Sequence, residues 1–284
     1  MEPEDRQKQT HHYKPDQVAS YFDEFGVGEW ERLVATPVDE VSLYLHTYYL
    51  KQYVPAGGLV LEIGAGAGRF TQVLAGLGAR VVVADISQVQ LDLNEQHAEE
   101  HGFANAVVEW QQVDICDMAQ FEPNAFNCVV VYGGPLSYVL ERRDVALQAC
   151  VRVLKQDGIL LASVMSLWGS AHRHLDGVLS IAPIENNQRI TQTGDLTPET
   201  LPGARHFMHM FRANEFRDFL TQAGLTVLAL SASNCLSLGW EELLVEIRAD
   251  DVKWRELLRM ELEACGQAGC LDMGTHLIGV ARKL

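Results

Sequence analysis

The chain has 284 residues, 48% of them hydrophobic, and sets 38 Asp and Glu against 22 Lys and Arg for a formal charge of −16. That is enough for one large domain, or one domain with a lid. So acidic a surface argues against nucleic acid, whose binding rests on Lys and Arg neutralising phosphates, and no apolar run approaches bilayer length.

The polar opening MEPEDRQKQTHHYKPD lacks the apolar core of a secretory signal. It predicts a cytoplasmic protein whose first 13 or so residues are disordered. Helical spacing follows over 15–25 (Val18, Ala19, Phe22, Phe25) and over 39–53 (Val41, Leu45, Tyr48, Gln52). Pro55 to Gly58 then break the pattern. Strand and helix signals alternate from there: strand 59–64, helix 69–76, strand 80–85, helix 88–101, strands 107–113 and 127–132, helix 143–154 and strand 158–165, the last after an Asp157-Gly158 turn. Uniformly apolar strands in such alternation predict a parallel sheet covered on both faces. The alternation stops at 166–210, a loop-rich stretch with His172, His174, His206 and His209 and no clear period. A connection of that length in a compact domain is usually functional or a lid. A helix over 211–224, a strand over 225–230, a mostly helical 241–265 and a strand over 275–282 complete the chain. The six cysteines (116, 128, 150, 235, 265 and 270) match no zinc spacing and read as buried small hydrophobes. No metal site is expected.

The segment LVLEIGAGAGRF, Leu59 to Phe70, carries the most chemistry. A hydrophobic strand ends in Glu62, and Gly64, Gly66 and Gly68 then lead into an amphipathic helix. Glycine lets bare backbone approach a ligand and tolerates positive φ, and the helix start adds free N–H groups. Dinucleotide sites favour G-x-G-x-x-G with a pyrophosphate on the helix end. Here the spacing is G-x-G-x-G, with a carboxylate two residues before the first glycine. That carboxylate would repel a pyrophosphate and suits a ligand with an ammonium group. Further acids end the next segments: Asp85 after RVVVA, about 20 residues on, where α/β nucleotide folds place a ribose-binding carboxylate, and Asp114 after the third strand. Ser87 and Gln90 are spaced as a capping box.

E-x-G-x-G-x-G, followed by these acids in order, resembles the Rossmann-like S-adenosylmethionine-dependent methyltransferases from about Leu59 to Val164. The resemblance implies a doubly wound, mostly parallel seven-stranded sheet with an antiparallel last strand, N-terminal helices packed over the cofactor and an inserted lid. The corresponding division is 1–54 as helical cap, 55–165 as cofactor-binding core, 166–210 as lid and acceptor-binding insertion, and 211–284 as the rest of the sheet. It also implies a cofactor set. Glu62 would hold the methionine amino end, directly or through water. Gly64, Ala65, Gly66 and Gly68 would give backbone approach, and Asp85 the ribose contact, with Ile86 and Gln90 beside it. Asp114 and Ile115 would take the adenine, Tyr132 and Gly133 the methylthio end, and the N-terminal helix with Tyr21 and Phe22 would close from above. Many relatives carry Asp where this chain has Asn127. The fourth segment is also not the Asn/Asp-Pro-Pro-Tyr type of enzymes that methylate nucleic acids.

The expected activity is methyl transfer to nitrogen or oxygen of a small molecule. His206 and His209 are candidate bases, with a pKa near about 6.5 in the unperturbed ring, and Tyr138 is a candidate acceptor-orienting group. The same residues leave rivals: a non-catalytic S-adenosylmethionine-binding partner or regulatory subunit, a NAD-dependent oxidoreductase, and aminopropyl transfer. Oligomeric state is not legible in the sequence.

Overall fold

A computed structural model describes residues 12–284. The disordered opening and the missing signal fall mostly on residues 1–11, outside the described residues. Tyr13, counted with that opening, is instead packed into the molecule: its hydroxyl donates to Asp114 Oδ1 at 2.7 Å.

The strands are β1 (Leu59–Ile63), β2 (Arg80–Asp85), β3 (Val107–Gln112), β4 (Phe126–Val131), β5 (Leu154–Met165), the short β6 (Asp195–Leu196) and β7 (Met208–His209), β8 (Leu225–Ala232) and β9 (His276–Lys283). The main sheet is seven-stranded in the order β3-β2-β1-β4-β5-β9-β8. Strands β3 to β5 pair in parallel through β2, β1 and β4, and β9 runs antiparallel between β5 and β8. This is the expected doubly wound sheet. Its strands alternate between two cores. Val60, Val81, Val83, Cys128 and Val130 share one core with Val41, Leu45 and Leu50 of the helix Pro37–Tyr53 and Phe70 and Leu74 of the helix Arg69–Gly76, while Leu61, Ile63, Val82, Val129 and Val131 share the other with Leu147 and Val153 of the helix Arg143–Val153 and Phe216 and Leu220 of the helix Ala213–Gln222. All of these side chains are buried. Each contributes roughly 1.5–3 kcal/mol by leaving water, which is why strands apolar on both faces end in the middle of the sheet.

Local signals set the helix starts. Thr36 and Asp39 form a reciprocal capping box for Pro37–Tyr53, and Ser87 Oγ accepts from the Gln90 N–H at the start of Gln88–Glu100. Asp250 caps Asp251–Cys265 and splits the expected 241–265 helix in two, the first part being Glu241–Arg248.

Three departures bear on function. β5 begins at Leu154, before the turn: Asp157 takes positive φ and the pairing with β4 shifts there, so the turn is absorbed as a bulge. A short helix, Gly28–Arg32, lies between the two expected N-terminal helices. Segment 166–210 is not loop-rich. It folds into helices Leu167–Arg173, Leu175–Leu179 and Ile184–Thr193 and the β6–β7 ribbon. Five- to ten-residue helices broken by Gly, Pro and Asn leave too little periodic signal to read.

Candidate functional site

Beyond the carboxyl ends of β1, β2 and β4 the structure holds a cleft of about 820 Å³, within the usual range for small-ligand sites. Its floor is the glycine loop. Gly64 and Gly66 both adopt positive φ, and Gly66 lies so close to the Glu29 side chain that a Cβ there would sit 3.0 Å from Glu29 Cγ. Gly64 faces Pro135 with still less room. Only glycine fits both the dihedral and the space.

Asp85 is 5% exposed at the end of β2. Its Oδ2 accepts from the Gly66 N–H at 2.8 Å and its Oδ1 from the Ser87 N–H at 2.9 Å. Burial pushes its carboxyl up to about 6, against the pull of those two donors, so at neutral pH it is mostly a carboxylate in the cleft wall. The loop is braced from beneath. Thr71 donates to Glu62 Oε2 at 2.7 Å, Asn94 donates to Thr71 Oγ1 and to the Gly66 carbonyl, and Trp110 donates to Asn94. Three residues of the cleft wall carry a buried polar atom with no hydrogen-bond partner among the described residues: Arg69 Nε, a donor, Gln90 Oε1, an acceptor, and the Tyr132 hydroxyl. Orphans of this kind cost about 1–3 kcal/mol each and mark where a ligand would complete the network.

The N-terminal segments close the cleft. Gln90 Nε2 donates to the carbonyls of Phe22 and Gly26, pinning helix Pro15–Phe25 to the core. Arg69 stacks on Trp30 at 3.7 Å and donates to its carbonyl. Arg32 is held by Glu29 through a bidentate pair. Phe22 lines the cleft as expected of the closing helix, and Tyr13, Val18, Glu29, Arg32 and Arg69 line it too, yet the candidate set omitted those five. Arg69 stood inside the glycine motif. Arg32 had no signal, because the five-residue helix GEWER shows no period.

The structure brings Gly64, Ala65, Gly66, Asp85, Ile86, Gln90, Ile115, Tyr132 and Gly133 of the expected set into one wall. Others lie behind it. Glu62 is 2% exposed beneath the loop, and burial pushes its carboxyl up to about 8. Gly68 abuts Asn94, and Asp114 is covered by Tyr13, so Tyr13 presents that position to the cleft. Tyr21 stacks on His206 at 4.2 Å, outside the wall, and Phe22 takes its place. Tyr132 presents its ring, packed on Phe70 and His46.

His206 packs between Tyr21 and Tyr138, and burial lowers its pKa to about 4. Tyr138 donates to the Gly133 carbonyl at 3.0 Å. His209 is 1% exposed and away from the cleft. Its Nδ1 meets Asp195 and its Nε2 meets Glu215, both at 2.7 Å, so neither nitrogen is left for an acceptor. Burial alone would lower its pKa; the bonds to Asp195 and Glu215 outweigh that and hold it above the usual histidine value. A raised folded-state pKa stabilises below the unfolded value, about 6.5, and that stabilisation is lost as pH rises through the folded value. Thermal melts should therefore fall as pH is raised above neutral. The His209→Gln protein should melt lower in the acidic range and lose most of this slope; an unchanged slope would remove His209 as its source.

Residues 61–162 match the family model described as a methyltransferase domain. Over that stretch, about a third of its length, the chain is similar to the class I S-adenosylmethionine-dependent methyltransferases. Among curated relatives, the ubiquinone biosynthesis O-methyltransferase of Actinobacillus pleuropneumoniae serotype 7 is 30% identical over 116 residues, 39% of this chain and 47% of that one. This chain thus spans about half the length of that relative. Among solved structures, the 1,6-didemethyltoxoflavin-N1-methyltransferase of Burkholderia thailandensis superposes with a TM-score of 0.57 at 15% identity, covering 98% of this chain and 92% of that one. The [4+2]-cyclase SpnF superposes at 0.59 with 17% identity, over 96% and 97%. At such identities these likenesses speak for the fold alone. The cleft fits S-adenosylmethionine, the cofactor of class I methyltransferases: a buried carboxylate at the end of β2, glycine backbone beside it, and orphan polar atoms in the wall.

Proposed function

We propose that this methyltransferase acts on nitrogen or oxygen of a small-molecule acceptor. The observation that carries the cofactor half is Asp85, aimed into the cleft from two backbone N–H donors. Its carboxylate would accept from the ribose hydroxyls. Ile115 and Val139 would sandwich the adenine, with Tyr13 at its edge; Arg32 and Arg69 would face the methionine carboxylate. When bound, S-adenosylmethionine supplies a methyl carbon activated by a sulfonium. The chain's own task is to orient the acceptor, exclude water and receive a proton. The N-terminal helices and the 166–210 insertion, meeting where Tyr21 stacks on His206, would do the excluding. The small-molecule class rests on the acidic surface and on relatives named for ubiquinone biosynthesis.

Isothermal titration with S-adenosylmethionine, S-adenosylhomocysteine and NADH tests this. Saturable binding of the first two and none of NADH is expected. NADH binding alone, or heat from none of the three, would sink the reading.

A further inference from the structure

A second cavity, of about 510 Å³, adjoins the cleft and shares Arg32, Leu33, Phe70 and Gly133 with it. Beyond that shared wall it is lined by His46, Asp39, Arg173 and His276, none of them used by the cofactor reading. His46 sits on helix Pro37–Tyr53, 4% exposed. Its Nδ1 lies 2.8 Å from the Ser42 carbonyl. A carbonyl only accepts, so Nδ1 carries the hydrogen, and in the neutral ring Nε2 is bare. The ring is neutral: burial lowers its pKa to about 4 despite that bond, and the Arg32 cation adds to the lowering. His276, its ring 6.3 Å away, is lowered to about 3 by burial and by the same neighbours. The charges in this wall are unequal. Asp39 is turned into its helix cap, with Oδ2 accepting from Thr36 N and Oγ1, and Arg32 is taken up by Glu29. Arg173 meets a single half-exposed carboxylate, Glu241, at 3.3 Å.

We propose that this second cavity is the acceptor site, that it takes a small carboxylate-bearing molecule with its acid group at Arg173, and that His46 Nε2 receives the proton from the acceptor's N–H or O–H. This rests on the cofactor reading above. In the transfer the acceptor's lone pair forms the bond to the methyl carbon, the carbon–sulfur bond breaks with its electron pair kept by sulfur, and the acceptor's proton passes to His46 and then to solvent.

The test is NMR of the full chain carrying isotope-labelled histidine and saturated with S-adenosylhomocysteine. It is titrated with 4-hydroxybenzoate and with its uncharged match, 4-hydroxybenzamide. The His46 signal, assigned by its loss in His46→Gln, should show an unprotonated Nε2 at neutral pH. The carboxylate should shift it at concentrations at least about tenfold lower than the amide, the discrimination expected of one charge-assisted contact. Arg173→Gln should abolish that preference while leaving S-adenosylhomocysteine affinity unchanged. A protonated Nε2, a signal moved by neither compound, or a preference that survives Arg173→Gln would overturn the proposal. Failure of S-adenosylhomocysteine itself to bind would instead bring down the cofactor reading.

Discussion

Asp85→Ala should bind S-adenosylmethionine at least about tenfold more weakly while remaining folded. Hydrogen bonds to a carboxylate contribute about 1.5–3 kcal/mol each, and a ribose offers two hydroxyls, so the loss is at least one such contact and as much as both. The side chain also ties the Gly66 and Ser87 N–H groups, so the loop loses its anchor together with the ligand contact. Asp85→Asn separates the two effects. Its amide oxygen can keep one backbone donor, but the carboxylate charge is gone. Calorimetric titration of both variants, with circular dichroism to confirm folding, checks this. Asp85→Ala that binds with wild-type affinity would remove Asp85 from the site.

Glu261→Ala should destabilise the protein by roughly 2–6 kcal/mol, since it strands two fully buried N–H donors, those of Cys235 and Ser237, and such donors cost about 1–3 kcal/mol each. Glu261 is 0% exposed, and its carboxylate accepts the N–H groups of Cys235 at 2.9 Å, Leu236 at 3.1 Å and Ser237 at 2.6 Å. This one side chain on helix Asp251–Cys265 satisfies three successive N–H groups of the turn after β8. The same turn carries Asn234, whose Oδ1 accepts from the Thr275 N–H at 3.2 Å, and both residues line the second cavity. Loss of Glu261 should therefore loosen the cavity wall as well as lower the melting temperature. Glu261→Gln, which keeps one acceptor oxygen, should lie between. Urea denaturation of the three proteins measures the differences, and an alanine variant within about 1 kcal/mol of wild type would contradict the account.

The part of the site made by strand ends was legible before folding. Gly64, Gly66, Asp85 and Ile115 stand at the ends of apolar runs, and a parallel sheet brings all such ends to one edge. Residues that reach the site from outside the sheet were not. Arg32 sits on a five-residue helix, Tyr13 on a coil, and His46 and His276 are separated by most of the chain. Nothing in their local sequence distinguishes them from an ordinary surface arginine or a core histidine. The reverse error has the same origin. His209 stands near His206 in sequence, yet a two-residue strand turns it toward Asp195 and Glu215, away from the cleft.

The sequence by itself determined the sheet, its parallel core, the glycine loop and the cofactor class. These depend on hydrophobic period and on residue types a few positions apart, and both act locally. Only the tertiary structure decided which side chains close the cleft, that Glu62 braces the loop from behind, and that a second cavity with two neutral histidines opens beside Gly133. Those facts depend on how helices far apart in the chain pack against one edge of the sheet. Burial and the neighbouring charge of Arg32, which set the protonation of those histidines, exist only once that packing has formed.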